Sequence, residues 1–155
     1  MIGSQLTDIQ WWEILERLWH MLGAYILAIP IGLDREKSRR QFGLRTFPLV
    51  AVVSCGFMMA GMSVIGSADG EARIFQGVVT GIGFIGGGAI FKGEDKVSGT
   101  ASAASIWNCG AIGLAVAYSR FEIAIALSVL NVLTLWLFGR VKREVLHEND
   151  DDETS

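Results

Sequence analysis

An uncharged, glycine-rich stretch in the middle of the chain constrains the fold more than any other feature. Residues 77–91 read GVVTGIGFIGGGAIF, and six of these fifteen residues are glycine. In water this stretch would be a poor helix, because each interior glycine costs about 0.8–1 kcal/mol relative to alanine. In a bilayer, glycine lets two helix backbones approach closely, and packing holds membrane helices together. The stretch therefore predicts a membrane protein with a tight helix interface.

Four further apolar stretches approach the length that crosses a bilayer, about 17–25 residues. The chain is 51% hydrophobic and 19% charged, whereas soluble domains carry about 25% charged residues. The predicted spans are about 15–33, 47–65, 75–91, 101–118 and 121–138. We therefore predict an all-α bundle of about five transmembrane helices in a domain at 1–143, followed by an acidic, disordered tail at 144–155.

The distribution of lysine and arginine predicts the orientation in the membrane. The segments on one side of the five spans hold ten basic residues, five of them in the segment 34–46, and the opposite side holds three. Because cytoplasmic loops carry the excess of basic residues, we expect the N-terminus outside and the C-terminus in the cytoplasm. The basic residues are scattered over short loops, so nucleic acid is not an expected partner.

The glycines of the third span allow two interpretations. Their spacing includes a G-x-G-x-x-G pattern, but that nucleotide-binding motif requires a preceding strand, and here it lies within an apolar span. We expect the glycines to form a packing face for a neighbouring or partner helix. The alternative is a broken helix around the glycine triplet that lines a transport site. The residues concerned are Gly77, Gly81, Gly83, Gly86, Gly87 and Gly88.

The densest charge cluster follows the first span. It contains Asp34, Arg35 and Glu36, and Arg45 and Thr46 end the same loop. One interpretation is that these charges set the orientation of the chain in the membrane and contact lipid headgroups. The other is a functional cluster at the membrane edge, where buried charges need one another as partners. Thr46 is also a candidate N-cap for the second helix.

Polar residues inside the spans are few. Ser105 and Asn108 lie in the fourth span and Asn131 lies in the fifth, where we expect hydrogen bonds to neighbouring helices. Glu16 and His20 are one turn apart, and we expect an interfacial hydrogen-bonded pair there. No carboxylate lies near the middle of a span, which counts against a dedicated magnesium channel. We expect no metal site, no cofactor and no catalytic residues.

Three linked motifs resemble the MgtC/SapB family of bacterial inner-membrane proteins. They are GLDREKSRRQFGLRTFPLVAV at 32–52, RIFQGVVTGIGFIGGGAIF at 73–91 and SGTASAASIWNCGAIGLAVAY at 98–118. The family patterns are G-L-x-R-E…G-L-R-T-H-x-L-V, V-x-G-I-G-F-L-G-A-G and T-T-A-A-S-x-W…A-I-G-L-A. The positions that fall on these patterns include Asp34, Arg35, Glu36, Gly43, Arg45, Thr46, Gly81, Gly83, Gly86, Gly88, Ser105 and Trp107.

The chain departs from the family patterns at three places. Phe47 replaces a usual histidine, Gly87 replaces an alanine, and Ala101-Ser102 alters the T-T-A-A pattern. After Arg143 we expect only the acidic tail and not the long soluble C-terminal domain of many members. Activities carried by that domain are therefore not transferred to this chain.

The resemblance implies a multi-pass protein of the bacterial inner membrane with an accessory or regulatory role. Members are linked to growth in low magnesium and to survival of pathogens inside host cells, and the best-known member is linked to restraint of the F-type ATP synthase through contact in the membrane. We therefore expect a non-enzymatic protein that contacts another membrane protein, or a second copy of itself as a homodimer, within the lipid bilayer. The alternative is a transporter or channel for magnesium or another small solute.

Overall fold

Five helices make up nearly all of the computed structural model, which describes residues 11–37, 42–93 and 96–152, with only the backbone for 140–152. The helices are α1 (Trp11–Lys37), α2 (Thr46–Val64), α3 (Ala68–Gly87), α4 (Thr100–Ala117) and α5 (Phe121–Asp152). Two short strands, β1 (Phe91–Lys92) and β2 (Val97–Ser98), form an antiparallel pair between α3 and α4.

The prediction of an all-α membrane fold is confirmed. Among the described helices, α1, α2, α4 and the segment Phe121–Gly139 of α5 are long and apolar enough to cross a membrane. Large apolar side chains cover their outer surfaces; Phe57 on α2, for example, is 61% exposed. In water such a surface would aggregate, whereas in a bilayer it meets lipid.

The predicted boundaries of the third span are wrong at both ends. Helix α3 begins seven residues earlier, where the Ser67 hydroxyl accepts the Gly70 N–H at 3.3 Å and acidic residues occupy the first turn. Acidic side chains near a helix N-terminus complement its dipole, so these turns remain helical despite their charge. The helix ends at Gly87, so residues 88–91 lie outside it. By length and composition, α3 is not among the four candidate spans.

Helix α3 nevertheless runs beside α4 from one end of the bundle to the other. At its start, burial and then the Glu71 carboxylate raise the pKa of Tyr118, which follows α4. Near its end, a Cβ at Gly86 would lie 3.3 Å from the carbonyl oxygen of Ala103, close to the start of α4. The two helices are therefore antiparallel.

The connections define two ends of the bundle. At the first, α1 and α3 end and α2 and α4 begin; we call this the Arg35 end. At the other, α2 and α4 end and α3 and α5 begin, beside His20 of α1; we call this the His20 end.

Helix α4 occupies the centre and packs against each of the other four helices. Its close approaches depend on glycine. A Cβ at Gly113 would overlap the carbonyl oxygen of Ala51 in α2, and one at Gly110 would overlap the side chain of Ile82 in α3. Because a backbone carbonyl cannot move aside as a flexible side chain can, the distance between α2 and α4 depends on the missing side chain at Gly113.

Helices α1 and α5 pack on the outside of this centre and are joined by a hydrogen bond. The Ser128 hydroxyl of α5 donates to the carbonyl oxygen of Leu27 in α1 at 2.6 Å. The buried face of α1 carries residues spaced by three or four, as an amphipathic helix requires. They are His20, Ala24, Ala28, Ile31, Gly32 and Arg35.

Helix α5 continues well past its membrane segment. Its backbone is helical through Asp152. Most of the tail that we predict to be disordered, 144–155, is therefore helical. The side chains of 140–152 and all of 153–155 lie outside the described part of the structure.

We expect Gly113→Ala to destabilise the bundle. An alanine normally gains about 1 kcal/mol over glycine in a helix interior, but overpacking at the Ala51 carbonyl costs about 1–3 kcal/mol. Cys55 and Cys109 are both buried, so a thiol-reactive dye reports thermal unfolding in detergent. The midpoint should fall by several degrees in Gly113→Ala. It should not fall in Gly83→Ala, where the added Cβ meets nothing within 4 Å.

Candidate functional site

Arg35 is a buried cation at the end of the bundle that bears its name. The residue is 7% exposed, and its guanidinium Nη2 donates to Asp34 Oδ2 at 2.9 Å. Among the described residues, its buried Nε has no hydrogen-bond partner. The fold therefore joins the first two residues of the predicted charge cluster as a partly buried ion pair.

Glu36 and Arg45 have separate roles from this pair. The Glu36 carboxylate accepts the Leu44 N–H at 3.2 Å, and a Cβ at Gly43 would overlap that carboxylate. A side chain at this position would therefore displace the Glu36 carboxylate from its bond to Leu44. Arg45 is exposed, and the described side chains contain no ion pair to it.

Thr46 is the first residue of α2 and not its N-cap. The N-cap position is Arg45, without a side-chain hydrogen bond, and the Gly43 carbonyl oxygen accepts the N–H groups of Thr46 at 3.0 Å and Phe47 at 3.3 Å. Arg39 and Arg40 of the same predicted cluster lie outside the described residues.

The glycines of α3 face three different directions. Gly86 packs against α4, and Gly88 lies just after the helix, near its own last turn. Gly77 and Gly81 face a groove between α2 and α3. Gly83 and Gly87 are exposed on other parts of the helix. At Gly77, Gly81, Gly83 and Gly87, an added Cβ would meet nothing within 4 Å.

The α2–α3 groove is a long apolar depression of about 510 Å³. Ser54 is its one polar side chain, and that hydroxyl donates to Val50 O of its own helix at 2.7 Å. The groove therefore offers an apolar shape with one hydroxyl, whose proton is already used within its own helix. Its lining consists of Leu49, Val50, Val53, Ser54, Phe57, Ile74, Gly77, Val78, Gly81, Ile82 and Ile85.

The polar residues predicted inside the spans meet in a cleft of about 240 Å³ between α4 and α5, which we call the amide cleft. Asn108 Nδ2 donates to the Leu127 carbonyl oxygen at 3.3 Å. The Ser105 hydroxyl lies 2.8 Å from Ala101 O and 3.2 Å from Asn131 Oδ1, so it shares one proton between two acceptors. The Asn108–Leu127 and Ser105–Asn131 hydrogen bonds therefore join α4 to α5.

A third cavity, of about 440 Å³, lies at the His20 end. His20 Nδ1 lies 2.8 Å from the backbone oxygen of Glu16, and Nε2 lies 3.1 Å from the Ser119 hydroxyl. The expected Glu16–His20 pair is therefore made by the Glu16 backbone and not by its carboxylate. The sequence reasoning did not identify Ser119, whose φ of 58° marks a tight turn between α4 and α5.

In the part of the chain that the structure describes, no three His, Cys, Asp or Glu side chains are grouped so that they could hold a metal ion. The chemistry available at the Asp34–Arg35 pair, the α2–α3 groove, the amide cleft and the His20-end cavity is hydrogen bonding, ion pairing and apolar packing. These interactions suit the binding of a helix or lipid.

We expect Asp34→Ala to lower stability by about 1.5–3 kcal/mol, the usual range for a hydrogen bond to a charged group. The substitution leaves Arg35 buried without its counter-ion. Combined with Arg35→Met, it should cost less than the sum of the single changes. Glu122→Ala is the matched control, because Glu122 and Arg120 are about two-thirds exposed and 3.7 Å apart. Unfolding of the four variants in detergent measures the coupling, and strictly additive losses would contradict it.

Comparison with known proteins gives consistent matches. The family model described as the MgtC family matches residues 21–144. SrpB of Synechococcus elongatus is 33% identical over 138 residues, which cover 81% of this chain and 76% of SrpB. YhiD of Escherichia coli K12, whose name contains the words magnesium transporter, is 32% identical over 86% of this chain and 66% of its own length.

MgtC of Salmonella typhimurium is 34% identical over 111 residues, or 72% of this chain, but these residues are only 47% of MgtC. The chain thus spans about half of MgtC and about two thirds of YhiD. No solved structure matches the chain. The family match covers α2, α3 and α4 completely, residues 21–37 of α1 and the membrane segment of α5. It includes the Asp34–Arg35 pair, the α2–α3 groove and the amide cleft, but not His20. The chain belongs to the MgtC family.

Proposed function

We propose that this protein is an accessory or regulatory component of the bacterial inner membrane that acts by helix–helix contact with another membrane protein. We place its N-terminus outside and its C-terminus in the cytoplasm, in accordance with its basic residues. The proposed role is non-enzymatic. One observation carries the proposal: the apolar groove between α2 and α3, with two unoccupied glycine positions, Gly77 and Gly81, in its wall.

The dimensions of the groove suit a helix. Its α3 wall extends from Ile74 to Ile85, and its α2 wall from Leu49 to Phe57. At 1.5 Å per residue these walls are roughly 17 Å and 12 Å long, or two to three helical turns. Gly77 and Gly81 are four residues apart, so they lie one above the other on a single face. A partner backbone can approach α3 closely there, as at other small-xxx-small sites.

The family resemblance suggests the setting in which this contact operates. Magnesium limitation or a related stress is the first condition to test, and the F-type ATP synthase is the first partner to test. The groove contains no hydrogen-bonding group free to recognise a polar ligand, so selectivity for a partner would come from the shape of its helix.

A transport function is the second candidate, favoured by the name of YhiD and by the polar side chains of the amide cleft. Magnesium prefers near-octahedral oxygen coordination and loses its water reluctantly. Asn108 and Asn131 supply amide oxygens, whereas the carboxylates of the described spanning helices lie toward helix ends. The balance of these observations favours contact over transport.

We expect a photo-crosslinking residue at Phe57, on the exposed rim of the groove, to capture a membrane protein in native membranes. Gly81→Leu should fill the groove and reduce that adduct at least fivefold, while thermal unfolding shows that the variant folds. Gly83→Leu is the control, because Gly83 lies on the opposite face of α3. Adducts with lipid alone, or adducts equally strong in Gly81→Leu, would refute the proposal.

For the transport alternative, we expect purified protein in liposomes to show no magnesium uptake above that of empty liposomes. A magnesium-sensitive dye inside the vesicles provides the measurement. Asn108→Ala serves as the diagnostic variant, because it removes an amide from the amide cleft, which lies between two spans. Uptake that requires Asn108 would replace contact with transport as the function.

A further inference from the structure

The two amides of the amide cleft retain unused hydrogen-bonding groups. A carboxamide can donate two hydrogen bonds and accept two. Asn108 uses one N–H, and Asn131 uses its carbonyl oxygen. Within the described residues, neither the Asn108 carbonyl oxygen nor the Asn131 amino group has a partner. Both side chains are partly exposed and line the cleft.

These groups lie deep in the hydrocarbon. Asn108 is near the middle of α4, and Asn131 is near the middle of the membrane segment of α5. No water is available at that depth, and an amide group without a hydrogen bond is costly there. The cleft therefore calls for a polar partner from outside this chain.

The two amides also lie at nearly the same depth. Asn108 precedes the end of α4 at Ala117 by nine residues, and Asn131 follows the start of α5 at Phe121 by ten. At 1.5 Å per residue they are roughly 14 Å and 15 Å from the His20 end. The cleft thus presents donors and acceptors in one layer of the bilayer.

We propose that the amide cleft is the interface between two copies of this chain, with Asn108 and Asn131 of each copy hydrogen-bonded to the amides of the other. All copies insert in one orientation, so a two-fold axis along the bilayer normal brings equal depths together. A two-fold interface must be self-complementary, and a carboxamide satisfies this condition because it donates and accepts. A different protein would need its own polar group at that depth.

The apolar surroundings suit this pairing. Leu130, at the rim of the cleft, is 61% exposed, and Ala101 and Ala104 on the α4 side are exposed and small. A leucine from one copy can therefore fill the space over an alanine of the other. Only 11% of the most apolar 18-residue stretch of α5 is buried within the chain, so α5 has surface available for a neighbour.

This interface is separate from the α2–α3 groove and does not rest on the proposed function. The groove and the amide cleft share no lining residue, and Phe57 and Gly81 belong to the groove alone. Loss of one contact can therefore be distinguished from loss of the other by crosslinking at the two sites.

Cysteine crosslinking in native membranes tests the geometry. Under mild oxidation, Leu130→Cys should form a disulfide-linked dimer, and Val129→Cys should give at least fivefold less. Val129 is the matched control because it is adjacent, 50% exposed and absent from the cleft lining. The native Cys55 and Cys109 are buried and should not react. Equal yields at both positions, or no dimer from Leu130→Cys, would overturn the proposal.

Subunit counting by single-molecule photobleaching in lipid bilayers tests whether the amide contacts stabilise the dimer. In Asn131→Leu, each copy loses its contribution to the amide contacts, and we expect the dissociation constant of the dimer to rise roughly tenfold. Thr80→Leu removes a polar group from α3 outside the cleft and should not change it. If Asn131→Leu dimerises as well as the natural chain, apolar packing alone holds the copies together and the proposal fails.

Photo-crosslinking in native membranes identifies the molecule that occupies the amide cleft. If a photo-crosslinker at Leu130 captures a different protein while the chain counts as a monomer, the cleft belongs to a heterologous partner and the dimer is refuted. Should Asn131→Leu fail to fold, the two cysteine variants decide the question, because each changes one exposed apolar side chain.

Discussion

The contact between Gly113 and the Ala51 carbonyl sets the distance between the two central helices. Helices α2 and α4 both begin at the Arg35 end, so they run parallel and are joined only through α3. No short loop holds them together, and apolar exclusion contributes little between helices already in hydrocarbon. Their association therefore depends on close packing, which Gly113 permits and which any side chain there would prevent. The remaining helices pack on the surface that this pair and α3 create.

Hydrogen bonds determine how the outer helices are rotated on that core. Dispersion contacts have little directionality, whereas the bond from Ser128 to Leu27 O allows one register between α5 and α1. His20 of α1 and Ser119, in the turn before α5, make a second contact at the His20 end. Asn108 adds a bond between α4 and α5. Each of these polar groups makes a structural contact, and Asn108 also keeps its carbonyl oxygen available for a second one.

The spans that could be predicted from sequence are those bounded by charge. For α2 and α4, the predicted and observed limits differ by one residue at each end, because apolar composition and polar loops coincide there. Helix α3 differs because its first turn is charged and because residues 88–90 form a turn that leads into the strand at Phe91. Apolar composition indicates how many residues of a segment can lie in lipid, whereas the first and last residues of a helix depend on caps such as Ser67.

The residues of the candidate sites could be predicted from the sequence, but most of their contacts could not. Asp34 and Arg35 are adjacent, so their pairing needs no long-range information, whereas the Glu36–Leu44 contact depends on the path of the loop. Glycine spacing indicates that helices approach closely, but it does not tell which glycine meets a neighbour. Within the chain, Gly113 and Gly110 lie against a neighbouring helix, whereas a Cβ added at Gly77 or Gly81 would meet no atom within 4 Å. Their different roles follow from the position of each helix in the bundle.

The uninterrupted helix of α5 has a mechanical consequence. Thirteen residues follow Gly139 before the helix ends at Asp152, which is roughly 20 Å of stiff rod at 1.5 Å per residue. A tilt of about 10° in the embedded half would swing the far tip by about 3.5 Å, given that length. Small rearrangements between α5 and its neighbours are thereby converted into a displacement of the acidic end, well away from the bilayer.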